Sequence, residues 1–252
     1  MKNRYFIEIA YDGMKFNGWQ IQKNATSVQE TLEKALSIVL REPISIVGAC
    51  RTDTGVHATG QFAHFDTENP LNQNFIHQIN GVLPYSIAIM NVYNSPNRLH
   101  ARFDALSRRY LYRITKKKNP FEKERALFLP ISLDLEKMKI AATELLKYEN
   151  FASFCKAHGD NKTYLCDIQF VEWKESKYIL EFHIQANRFL RGMVRAIVGT
   201  LLEVGKGKLN VQDFIEIIQS ENRKNAKMNV VPYGLYLTHV IYPENSLIKI
   251  NV

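Results

Sequence analysis

The chain reads as an α+β protein made of two similar halves whose sheets join side by side into one mixed, mainly antiparallel sheet, with helices on one face. Three observations predict this. The 252 residues are 46% apolar, enough for a sizeable core. Segments of period-2 hydrophobicity alternate with segments whose apolar residues recur three and four apart. The order strand, helix, strand, strand, helix, strand over the first half returns loosely in the second, with no low-complexity segment or long linker between them. The best boundary candidate lies at 94–97, so the expected domains are 1–96 and 97–252.

The elements follow in order. Tyr5 to Tyr11 alternates, with Tyr5, Ile7 and Ile9 to one side and Phe6, Glu8 and Ala10 to the other, which predicts a strand. A loop over 12–26 carries Phe16, Gly18 and Trp19. Ser27-Val-Gln-Glu30 is the pattern of a capping box, and Val28, Leu32, Ala35, Leu36, Val39 and Leu40 form the apolar stripe of the helix behind it. Ile44–Ala49 predicts a strand that leads into the glycine-punctuated stretch Gly48 to Gln61, and another strand follows from Gln61. Phe75 to Val82 predicts a short helix ended before Pro84, and Ile87 to Tyr93 a strand. In the second half, strands are expected at Arg109–Thr115, Leu165–Trp173, Tyr178–Ala186 and Gly234–Tyr242. Helices are expected at Leu133–Lys147, Phe189–Val204 (with Asn187 as its N-cap) and Val211–Ser220.

Charge and cysteine content narrow the function class. The formal net charge is +8, which points to an anionic partner, nucleic acid first. Cys50, Cys155 and Cys166 are odd in number and contain no C-x-x-C, which argues against a disulfide framework and a zinc site. Glu8 interrupts the N-terminal apolar run, so no signal peptide is expected, and no window reaches the roughly 18 apolar residues of a membrane span. A reduced, cytoplasmic protein away from the membrane is the expectation.

The basic charge is clustered. Arg108, Arg109, Arg113, Lys116, Lys117 and Lys118 fall within 107–118 without an acid, interleaved with Tyr110 and Tyr112. Arginine with aromatic side chains suits phosphate contact and base stacking, whereas an ordinary reading is a solvated strand edge. Arg188, Arg191 and Arg195 are spaced to share one face of the expected helix, the plainer reading being an amphipathic surface helix. Arg223, Lys224 and Lys227 form a third, less specific group.

The stretch Gly48 to Gln61 reads GACRTDTGVHATGQ and gathers Arg51, Asp53 and His57. Asp53 has three readings: a turn aspartate bonded to its own backbone, a metal ligand with His57, or a nucleophile. As a nucleophile it must stay ionised while shielded from water, which an arginine partner such as Arg51 or Arg195 favours. No phosphate-binding loop of Walker type is present, and no second carboxylate is near in sequence. One aspartate, arginines and stacking tyrosines on a basic chain fit chemistry on a nucleobase drawn out of its stack. A tRNA-binding module without chemistry and an aspartate-dependent hydrolase of a small phosphorylated or glycosylated molecule stand as alternatives.

Over nearly its whole length the sequence resembles the tRNA pseudouridine synthase A family. The matching strings are Tyr11-Asp-Gly13 with Gly18-Trp19-Gln20, Ser27-Val-Gln-Glu30, Arg51-Thr-Asp-Thr-Gly-Val-His57, His100-Ala-Arg-Phe103, Arg108-Arg-Tyr-Leu-Tyr112, Phe151-Ala-Ser-Phe154, Met193-Val-Arg-Ala-Ile-Val-Gly199 and Gly234-Leu-Tyr-Leu237. Cys50 and Thr54 stand where family members usually have glycine and alanine. The resemblance implies two ferredoxin-like, RRM-like halves, the first carrying the catalytic aspartate loop and the second completing the cleft. It also implies an isomerase that converts uridine to pseudouridine at positions 38, 39 and 40 of the tRNA anticodon stem-loop. Asp53 would be the nucleophile, Tyr110 would stack on the target uracil, Arg195 would pair with Asp53, Leu235 would form an apolar wall and Arg51 would hold the flipped nucleotide. Arg108, Arg109, Arg113, Arg188 and Arg191 would contact the RNA, and His57 would hold the turn. No metal or organic cofactor is implied, and a homodimer is.

Overall fold

The alternation after Lys2 produces strand β1, Asn3–Tyr11, at the middle of a five-stranded order. On one side β1 pairs antiparallel with β3 (His57–Thr67), which carries the two-residue β2 (Val47–Gly48). On the other it pairs antiparallel with β4 (Ile87–Asn94), and β10 (Ile248–Ile250) adds to the far edge of β4. The start of β3 also pairs in parallel with β9 (Leu235–Ile241), His57 opposite Tyr236 and Ala58 opposite Leu237. Helix α1 (Val28–Leu40) packs on α2 (Phe75–Val82), and α2 packs on β4. Phe6, Ile7, Ile9, Leu32, Leu36 and Ile79 are fully buried in this core.

The computed structural model describes residues 2–156, 162–227 and 229–252, and its chain forms two compact units. The first, just outlined, consists of Met1–Leu106 with Tyr236–Val252; the second is Ser107–Leu235. The expected division lay at 96/97, whereas the units change at 106/107 and the C-terminal segment returns to the first.

In the second unit β5 (Ser107–Thr115), β8 (Ile179–Ala186) and β7 (Ile168–Glu175) pair antiparallel in that order. β6 (Leu127–Phe128) runs parallel to the end of β5. Helices α3 (Leu135–Glu144), α4 (Met193–Gly205) and α5 (Val211–Gln219) pack on one another, and α3 packs on β7. Ten strands and five α-helices among the described residues make a mixed α+β protein, as expected.

Several elements differ from expectation for local reasons. The strand expected over Ile44–Ala49 is reduced to Val47–Gly48, because the Ile44 and Ile46 N–H groups bond to the Ser37 and Glu33 side chains of α1 instead of a neighbouring strand. β3 starts at His57, four residues before Gln61, so His57 is a strand residue. The capping box is half made: Ser27 accepts from the Glu30 N–H at 3.2 Å, while the Glu30 carboxylate turns to Lys34 four residues on. The helix expected from Phe189 begins only at Met193, because Gly192 sits at φ +71°, where a right-handed helix cannot continue backwards. Arg188 and Arg191 therefore precede α4 and do not share a helix face with Arg195, and Asn187 caps nothing there. Its side chain instead accepts from the Asp167 N–H at 2.9 Å. The strand β10, too short to stand out in sequence, was not expected.

Candidate active site

In the first unit, the loop from Ala49 to Val56 is built by polar residues that brace it from below. Asp53 starts a tight turn: the Val56 N–H donates to the Asp53 carbonyl at 3.1 Å, and Gly55, two residues on, has φ +78°. Positive φ at that third position suits glycine and few other residues. Underneath, the buried Tyr11 hydroxyl lies 2.8 Å from the Thr52 hydroxyl. Burial pushes the Tyr11 phenol well above its usual range, so it acts here as a neutral hydrogen-bonding group. The Gln61 amide, fully buried, donates to the Cys50 carbonyl at 2.9 Å, and its oxygen accepts from the Phe62 N–H.

Two glycine-bearing segments close on this turn. Gly18, at φ +85°, lies so near that a Cβ would stand 2.6 Å from the Thr52 carbonyl oxygen. The Trp19 N–H donates to that same oxygen at 3.2 Å, and the Trp19 ring packs over Gly48. At Gly13 a Cβ would overlap the Val56 carbonyl. The strings Tyr11-Asp-Gly13 and Gly18-Trp19 are therefore the mould of the aspartate turn. His57, buried, accepts the Gly13 N–H on Nδ1 at 3.1 Å and stacks on Tyr236 with ring centroids 4.7 Å apart. These contacts tie His57 to the segment that packs against the Asp53 turn. Among the described residues no group of three His, Cys, Asp or Glu side chains is placed to hold a metal.

What the mould presents is Asp53, half-buried, with Arg51 exposed two residues before it. The segment thereby holds the Asp53 carboxylate just before the start of β3, half-buried and still reached by solvent.

The second unit holds the other expected residues. Tyr110, buried on β5, meets Phe189 edge-on with centroids 5.1 Å apart. Tyr112, two residues on, is fully buried and donates its hydroxyl to the Val231 carbonyl at 2.9 Å. Burial raises its phenol strongly, partly offset by the nearby charge of Arg195. Arg195, in the first turn of α4, donates Nε to the Val230 carbonyl at 2.7 Å, and the Val230 N–H donates back to the Arg195 carbonyl at 3.3 Å. Asn229 crowds Gly192 and accepts from Arg223 at 3.1 Å. The segment before β9 is thus latched to the start of α4, and it delivers the buried Leu235.

The five arginines expected to contact RNA are not equivalent. Arg108 is buried and donates to the Asn187 carbonyl at 2.8 Å. Arg109 lies over Phe170, 5.0 Å from its ring centroid, and donates to Gln185 at 3.0 Å. Arg113 is ion-paired with Glu122 and Glu181, both at 3.3 Å, so its charge is already answered within the unit. Arg188 is half-buried and Arg191 exposed in the turn before α4, where the Arg191 carbonyl accepts the Lys156 N–H. Sequence reasoning gave no role to Tyr11, Thr52 and Gln61. A glutamine inside the apolar run of β3 was the available signal, since a buried amide must find partners.

Comparison with known proteins agrees with these motifs. A model of a tRNA pseudouridine synthase family matches residues 141–243. The protein named tRNA pseudouridine synthase A from Bacteroides fragilis is 48% identical over 244 residues, 96% of this chain and 97% of that protein. The proteins of that name from Parabacteroides distasonis and Azobacteroides pseudotrichonymphae are 47% and 45% identical, over 96% of this chain and 96% and 97% of their own lengths. No helix among the described residues is long and apolar enough to cross a membrane.

Proposed function

The chain belongs to the tRNA pseudouridine synthase A family, and from that premise we propose that it isomerises uridine to pseudouridine in the anticodon stem-loop of tRNA, at positions 38, 39 and 40. The observation that carries the reading is the Asp53 turn, moulded by Tyr11, Gly13, Gly18 and Gln61 so that one carboxylate is held out at a fixed place. The reaction breaks N1–C1′ and forms C5–C1′. C5 loses a proton and N1 ends with one, so neither water nor an electron carrier is consumed. Such chemistry needs a nucleophile and a pocket that keeps the detached uracil from diffusing away.

In this reading Asp53 is the nucleophile and Arg51 steadies the displaced nucleotide. Tyr110 is the ring against the uracil, Arg195 the positive charge that keeps the carboxylate ionised, and Leu235 an apolar wall. Arg108, Arg109, Arg188 and Arg191 favour the RNA backbone, whereas Arg113 is committed to its two glutamates. The working protein is a homodimer in the cytoplasm; the dimer rests on the family resemblance alone. Light scattering of the purified chain would return the mass of two chains, and a monomer mass at assay concentration would remove it.

The test of function is to incubate the protein with unmodified tRNA transcript and map pseudouridine by sequencing. Product is expected at 38–40, and no product, or product only elsewhere, would overturn the assignment. Asp53→Asn should bind tRNA as the wild type does and lose at least about a thousandfold in single-turnover rate.

A further inference from the structure

We infer that Phe103 is a second RNA contact, a stacking platform for one unpaired base far from the target uridine. The inference rests on the reading of tRNA as substrate. The His100-Ala-Arg-Phe103 string plays no part in the Asp53 turn, yet the first unit builds it with care. Ala101 is fully buried, its N–H donates to His64 Nδ1 at 3.0 Å, and its carbonyl accepts the Tyr242 hydroxyl at 2.7 Å. The chain just before it is held by Arg4, which donates to the Arg98 and Leu99 carbonyls. Inside the turn, His100 Nδ1 accepts from the Arg102 and Phe103 N–H groups at 3.2 Å, and Asp104 closes it by accepting the His100 N–H at 2.6 Å.

All this fixes a ring in solvent. Phe103 is 75% exposed, stacks on His100 with centroids 4.3 Å apart, and has the Arg102 guanidinium 5.8 Å from its centroid. An exposed aromatic on a mobile loop would be unremarkable, but one this firmly pinned is already ordered for a partner. The partner's charge follows from the surroundings. Arg4, Arg98 and Arg102 outnumber Asp66 and Asp104, so that with Asp66 shared by Arg4 and Arg98 the surroundings keep a positive excess. A rigid ring flanked by arginine suits a base with its phosphate, as on single-strand binding surfaces. The target uridine is too far off to be that base. His64, beneath the turn, is six residues along β3 from Ala58 at the Asp53 end, roughly 20 Å at a strand's rise.

The experiment compares full-length wild type, Phe103→Leu, Phe103→Trp and Arg102→Gln on unmodified tRNA, measuring Kd against salt and steady-state rates. Phe103→Leu should raise Kd and KM about tenfold, leave kcat unchanged and leave the slope of log Kd against log salt unchanged. Phe103→Trp should restore affinity, and its added fluorescence should be quenched by tRNA. Arg102→Gln should lower the salt slope by about one. Unchanged Kd in Phe103→Leu, with its circular dichroism and melting like wild type, would overturn the proposal. So would a fall in kcat at wild-type Kd, or a change in oligomer mass with no change in RNA affinity, which would make the ring a protein contact. If wild type bound tRNA but formed no pseudouridine, the assigned reaction would fail while the Kd comparison still judged Phe103.

Discussion

Asp53 matters less for its own surroundings than for the few atoms that fix its backbone. The Tyr11–Thr52 hydroxyl pair is buried directly under the turn. Removing one partner leaves a buried hydroxyl unpaired, at a cost of about 1–3 kcal/mol. Tyr11→Phe should therefore lower the melting temperature and slow the single-turnover rate, while tRNA affinity stays near wild type. A full-speed Tyr11→Phe enzyme would show that the turn is held without this bond. At this scale the sequence was informative about which polar groups the loop gathers and poor about what supports them. Arg51, Asp53 and His57 announce themselves by residue type in a glycine-punctuated run. Thr52 and Gln61 look ordinary in the string, and only their bonds in the folded chain, Thr52 to the Tyr11 hydroxyl and Gln61 to the Cys50 carbonyl, reveal that they support the turn.

Elements with a strong period came through intact: α1 and α2 have the expected ends, because their apolar stripes and flanking signals agree. Elements decided by backbone conformation did not. Gly192 at positive φ delays α4 by four residues and separates Arg188 and Arg191 from Arg195, which no spacing rule could detect. β3 carries a different, testable consequence. Burial, with Arg4, His100 and Arg98 nearby, lowers the His64 pKa to about 4, against a smaller opposite pull from Asp66. The unfolded chain then takes up the proton first, near 6.5, and the folded chain only near 4. His64 thus contributes full stability above about pH 6.5, and the contribution is lost as pH falls towards 4, by about 2 kcal/mol at pH 5. Protonation also removes the Nδ1 acceptor of the Ala101 N–H. Urea titrations at pH 7 and pH 5 should show the wild type losing more stability than His64→Gln. Equal losses would exclude His64 as the cause.

For the whole molecule, the net charge of +8 has one direct consequence. If tRNA is held mainly through its backbone, log Kd should rise linearly with log salt, with a slope that counts the phosphates neutralised. A slope near zero would mean that shape and stacking, and not charge, supply the affinity. Class and composition sufficed to expect an α+β protein. They could not reveal that the last strands belong with the first, since strand pairing across the length of a chain leaves no local trace.

That return of the C-terminus sets an order of assembly during synthesis. Tyr236, which stacks on His57, and Thr238, against which Gly60 packs, belong to the first unit but are made after all of the second. At typical translation speeds the gap between Leu106 and Tyr236 is on the order of ten seconds. During it, the edge of β3 beside the Asp53 turn waits without its partner strand β9. The continuous second unit can fold as it emerges, whereas His57, beside the turn that bears Asp53, meets its stacking partner only once β9 has been made. A chain broken off before Tyr236 would leave Asp53 beside an unclosed sheet.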